Sequence, residues 1–144
     1  MRKIYCGLAQ MMLLIWFFLD MTGLRLGNDW LVTVSYKEDG IFFFIYLATL
    51  ILFFLKEQIG KWFNIGWLSI WFIVEFMSHE WYTFFGSGLL GTAKGKIRYF
   101  SNTIQWLKIE GRYVPDVYHI ILHLLILFAL VTTVVYVIKH RKDR

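Results

Sequence analysis

Among 144 residues there is one cysteine, Cys6, and one proline, Pro115. A lone thiol excludes an internal disulfide and any cysteine-built metal site. With so little proline, and no Ser-rich or Gly-rich tract or internal repeat, nothing in the chain reads as a linker. Residues 1–144 are therefore expected to form one transmembrane domain. Charge is scarce as well: Asp, Glu, Lys and Arg make up 17% of the residues, whereas 58% are hydrophobic and 20% aromatic. A chain this short cannot bury that much apolar side chain in a water-soluble core. The composition is that of an integral membrane protein.

The apolar runs predict an all-α, four-helix transmembrane bundle with spans at about 4–24, 40–57, 62–86 and 114–138. The first follows Arg2 and Lys3 but no small-residue cleavage site succeeds it, so it reads as an uncleaved span rather than a signal peptide. The uncharged centre of the second, Ile41–Leu55, falls short of the ~20 residues a bilayer needs, so Gly40 and Lys56 extend it. The segment KEQIGK reads as a tight turn, and LVTVSY alternates as a short strand or an extended interfacial loop would. Between spans three and four, Ile97, Phe100, Ile104 and Leu107 recur at spacings of three and four, which predicts an amphipathic interfacial helix at about 96–109.

Even-numbered spans put both termini on one side. Eight cations (Arg2, Lys3, Lys56, Lys61, Lys139, Arg141, Lys142, Arg144) fall there, in short segments beside the spans. Seven (Arg25, Lys37, Lys94, Lys96, Arg98, Lys108, Arg112) are spread over two long loops on the other. The dense set predicts cytoplasmic termini in the plasma membrane. The net charge of +5 is split between the two faces, so no single basic surface meets a nucleic acid. Membrane lipids are the expected partners. Most tryptophans lie near predicted interfaces, as aromatic belts do.

Within these spans a few ionisable residues stand out, because a charge at bilayer depth costs at least ~2.5–3.5 kcal/mol on insertion scales. Span three holds Glu75, His79 and Glu80; span four opens with Asp116, His119 and His123. His79 lies seven residues before Gly86, about 10 Å below the span's outer end, while His119 and His123 lie about 6 and 12 Å below Pro115. Glu75, His79 and Tyr82 share one helical face, as do Asp116, His119 and His123. Glu80 points about 100° away, toward Asp20 or Arg25, or outward as the one polar contact available to a homo-oligomer.

Facing helices that each present imidazole and carboxylate suit a metal site in a bundle. His79, His119, His123, Glu75 and Asp116 are its expected ligands, with a divalent transition metal, zinc or iron, as cofactor. The HExxH order of zinc proteases is absent. As an enzyme, the protein is expected to act on an amphiphilic, lipid-like substrate. Glu75, His79 and Asp116 would then be catalytic, Arg98 and Arg112 would hold an anionic group, and Trp81 and Tyr82 would line the substrate site. Two other readings of the same residues stay open: a structural network in an assembly subunit, or a proton or ion path.

Overall fold

A computed structural model of the protein describes residues 3–141. The chain runs through α1 (Lys3–Thr22), β1 (Leu24–Leu26), β2 (Asp29–Val32), α2 (Tyr36–Leu55), α3 (Glu57–Ser78), α4 (Glu80–Phe85), α5 (Ala93–Tyr99) and α6 (Val117–Arg141). The cations Arg2, Lys142 and Arg144 lie outside the described residues. The protein is mostly helical, and three helices, α1, α2 and α6, are long and apolar enough to cross a membrane. At 22 residues α3 matches them in length but carries Lys61, Asn64 and Glu75.

Each long helix buries one stripe. On α1 it comprises Cys6, Gln10, Leu13, Phe17 and Asp20; on α3, Gly60, Asn64, Leu68 and Trp71. On α6 it runs Tyr118, Leu122, Ile126, Ala129, Thr133 and Tyr136. Spacings of three and four keep each stripe on one face, and the four helices close into a ring in which α1 meets α2 and α6, and α3 meets the same two. Phe17 and Trp71 pack ring to ring at 4.4 Å in its centre.

Below that aromatic layer lies a polar network that ties all four helices together. Gln10 Nε2 donates to Asn64 Oδ1 at 2.9 Å and to Thr133 Oγ1 at 2.7 Å, and Tyr46 Oη donates to Gln10 Oε1 at 2.6 Å. Asn64 Nδ2 reaches Thr49 Oγ1 at 3.4 Å. Burying an amide without partners costs roughly 1–3 kcal/mol in proteins; here both amides are bonded, so the network fixes helix register instead of opposing the fold.

The α2–α3 turn is tighter than KEQIGK suggests. Lys56 alone separates the helices, and Glu57 to Lys61 are already helical. At the opposite end of the bundle, β1 and β2 form an antiparallel hairpin with Leu26 opposite Asp29, so the fold is not purely α. Its two-residue turn places Gly27 at φ 65°, a conformation glycine adopts without steric cost.

The expected interfacial helix at 96–109 is not formed. Helix α5 ends at Tyr99, and the chain beyond it is irregular. Its backbone finds partners elsewhere: Trp30 N donates to Asn102 O, Ile104 N to Trp30 O, and Val117 N to Ile104 O. Those tertiary bonds substitute for a helical ladder and lay residues 102–104 between the hairpin and the start of α6.

Candidate functional site

The ionisable residues gather at the hairpin end of the bundle. Helix α3 stops at His79, whose φ of −122° and ψ of −72° break the run before α4 begins at Glu80. In an unbroken helix Glu80 would face about 100° away from His79. The break turns it inward, and its Oε1 lies 2.7 Å from His123 Nδ1. Glu80 therefore belongs to the cluster and meets neither Asp20 nor Arg25.

On α6, Asp116 is the residue preceding the first helical one. Its Oδ1 accepts from the His119 backbone N at 3.0 Å, an N-cap bond, and from His119 Nδ1 at 2.6 Å. The same carboxylate thus starts the helix and orients the imidazole. His79 Nδ1 meets Tyr113 Oη at 2.5 Å. Burial, with the charges of Asp116, Glu75 and Glu80 acting in the same sense, raises the Tyr113 phenol above its ordinary 10.0, so it keeps its proton and donates it to His79. The His79 and His119 rings stack with centroids 4.2 Å apart and planes at 24°.

With both rings neutral, these bonds set opposite tautomers on the stacked pair. His119 gives its Nδ1 proton to Asp116, which leaves Nε2 as an acceptor. His79 accepts at Nδ1 from Tyr113, which leaves the proton on Nε2. Glu75 Oε2 lies 3.7 Å from His79 Nε2, within ion-pair range but too long for a hydrogen bond. Its other oxygen accepts from Trp71 Nε1 at 3.2 Å.

Both stacked imidazoles line a pocket of about 400 Å³, with Ser35, Asp39, Lys96 and Phe100 among its other walls. Asp39 of α2 brings a carboxylate to this wall, and Asp20 is buried on α1. Lys96 Nζ sits 4.8 Å above the Tyr82 ring and 5.9 Å from that of Tyr113. Burial lowers its pKa from the ordinary 10.5, with the Glu75 charge acting in the opposite direction. Four buried polar atoms around the cluster have no hydrogen-bond partner among the described residues: Glu75 Oε2, Glu80 Oε2, Asp116 Oδ2 and His123 Nε2.

Lys96, and not Arg98 or Arg112, is the cation of this pocket. Arg98 and Arg112 are exposed, and neither lines it. Nor does Trp81, which packs on Phe85 at 4.3 Å. Tyr82 is fully buried; its hydroxyl donates to Gly91 O at 2.9 Å, so it braces Lys96 from below instead of meeting a ligand. His123 does not line it either: Phe72 covers its ring at 4.3 Å.

The set expected to bind zinc or iron pairs off instead of converging. His79 bonds Tyr113, His119 bonds Asp116 and His123 bonds Glu80, each through Nδ1, and stacking keeps two of the rings parallel. Among the described residues no group of three or more His, Cys, Asp or Glu side chains is placed to hold a metal ion. The chemistry on offer is proton transfer: an imidazole oriented by a carboxylate accepts at Nε2, as in hydrolytic triads, and its stacked neighbour donates. Comparison with family models, curated proteins and solved structures finds no match to this chain.

Proposed function

We propose that the protein is an integral membrane enzyme that performs general acid–base chemistry on an anionic amphiphile. The observation that carries this reading is the stacked pair of oppositely oriented imidazoles, His119 on Asp116 and His79 on Tyr113, in one pocket with Lys96. His119 Nε2 takes a proton from the water or substrate hydroxyl that bonds to an ester carbon or phosphorus, His79 Nε2 gives one to the oxygen released as the old ester bond breaks, both rings then exchange protons with water, and Lys96 holds the anionic group. Asp116 and Tyr113 are positioning residues, and Glu75 balances charge behind His79.

The cavity that His79, His119 and Lys96 line together favours a ligand site over a purely structural network, which needs no such space. A conducting path is less well served: Phe17 and Trp71 close the bundle axis between this cluster and the Gln10 network. Mass spectrometry of bilayer lipids incubated with the reconstituted protein tests the reading. Wild type should convert an anionic lipid, and His119→Ala should convert it about 100-fold more slowly or worse. A wild type that converts none, or a folded His119→Ala protein that keeps pace with it, overturns the proposal. Stoichiometric zinc or iron that is lost with His119 would replace it by a metal-assisted one.

In this reading α3 crosses the bilayer with its neighbours, since 22 residues span about 33 Å. The terminal end, with Lys3, Lys56 and Lys61, faces the cytoplasm. In a Cys6→Ser background, Thr92→Cys should react with an impermeant maleimide in intact cells and Gln58→Cys should not. The reverse pattern puts the pocket on the cytoplasmic side.

A further inference from the structure

A second cavity adjoins the first. It is a groove of about 310 Å³ beside α5, with Ile97, Phe100, Leu107 and Ile109 among its apolar walls and Lys108 and Arg112 as its cations. Phe100 lines both cavities, and its ring meets His119 edge-on at 5.0 Å, so one aromatic side chain separates the groove from the acid–base pair.

The surrounding segment has an unusual surface for a loop. From Gly86 to Arg112 it carries five cations and one acid, Glu110. The same stretch exposes Leu89 at 86%, Trp106 at 73% and Leu107 at 52%. Apolar and aromatic side chains that project beside lysine and arginine suit the head-group layer, where rings and alkyl chains dip below the phosphates and cations sit level with them. A soluble phosphate would need the cations only, and would leave Trp106, Leu89 and Leu107 without a role.

We infer that the groove beside Phe100 seats an anionic phospholipid head group drawn from the surrounding leaflet, with its phosphate on Lys108 and Arg112 and its glycerol end against Leu107 and Ile109. Lys108 and Arg112 against one wall carboxylate, Glu110, leave the groove net positive, and the exposed Leu107 is itself one of its walls. A lipid held there has its head group one ring away from the pocket of His119 and His79. Delivery of that head group to the pocket rests on the acid–base reading; retention of the lipid does not.

The experiment uses the full-length protein purified with an equimolar mixture of phosphatidylglycerol and phosphatidylcholine, with retained lipid measured by mass spectrometry. Phosphatidylglycerol should be enriched, and Lys108→Gln with Arg112→Gln should reduce the enrichment by about fivefold for each cation removed. The charge-preserving exchange Lys108→Arg with Arg112→Lys should keep it. Both side chains are exposed, so these variants leave the fold intact, as an unchanged melting temperature would verify. Equal retention of the two lipids, or an enrichment that survives the double glutamine variant, overturns the inference. So does displacement of the lipid by inorganic phosphate at equal concentration, which would mark a soluble-anion site. A protein that retains phosphatidylglycerol through these cations but converts no lipid sinks the enzymatic reading alone.

Discussion

Gly60→Ala is expected to be the most damaging single-methyl change in the bundle, lowering stability by about 3 kcal/mol or more. Because only Lys56 separates α2 from α3, the first turn of α3 folds straight back on the last turn of α2. A Cβ on Gly60 would overlap the backbone of Leu52 and Phe53. Backbone atoms inside a hydrogen-bonded helix cannot swing aside as a side chain would, and Lys56 N already bonds Leu52 O at 2.8 Å while Gly60 N bonds Lys56 O at 2.8 Å. The hairpin must open. Asn64, one turn further along the same buried stripe, would then draw away from Gln10, and the polar network would lose its bond between α1 and α3. Gly66, on the same helix, is the control: nothing lies within 4 Å of its Cβ position. Gly66→Ala should leave the melting temperature unchanged or raise it, since alanine in a helix is favoured over glycine by about 1 kcal/mol. Thermal unfolding in detergent compares the two variants; equal melting temperatures would show that the helices are not in contact at Gly60.

Much of the bundle and part of the cluster are legible in the sequence because charge inside an apolar run is costly enough to signal a partner. Counting residues down from Gly86 and Pro115 puts His79 and His119 at similar depth, and their rings stack. What escapes such counting is whatever depends on a single backbone break or on tertiary proximity. Glu80 faces inward only because the helix ends at His79. Asp39 falls just before the expected start of span two at about residue 40, whereas α2 begins at Tyr36 and carries Asp39 in its first turn. Lys96 and Arg98 lie about 200° apart on α5, so one reaches the pocket and the other faces away. Which one enters is set by how α5 docks. The apparent helical period of Ile97, Phe100, Ile104 and Leu107 misleads for a different reason: Asn102 and Ile104 bond to the backbone of Trp30, and Ile104 also to Val117 at the start of α6. Gln10 and Asn64 are uncharged, so their network left no mark in a search for charge.

Asp116→Asn should reduce turnover by about two to four orders of magnitude while leaving the protein folded. Asparagine caps a helix as well as aspartate does, so the bond from the His119 backbone N survives the exchange. The side-chain contact to His119 keeps its geometry, because both bonds fall on the same oxygen, but it loses its charge. A neutral amide oxygen still accepts from His119 Nδ1 but no longer stabilises the imidazolium that forms when Nε2 takes a proton, so His119 is a weaker base. Asp116→Ala separates this effect from helix capping, because it removes the cap as well and should lower stability by about a further 1 kcal/mol. The expected pattern is therefore a shared loss of turnover in both variants, a lowered melting temperature in Asp116→Ala alone, and phosphatidylglycerol retention close to wild type in Asp116→Asn. Wild-type turnover in Asp116→Asn would remove His119 as the base. Equal melting losses in the two variants would instead make Asp116 a structural residue whose contact with the imidazole has no part in the chemistry.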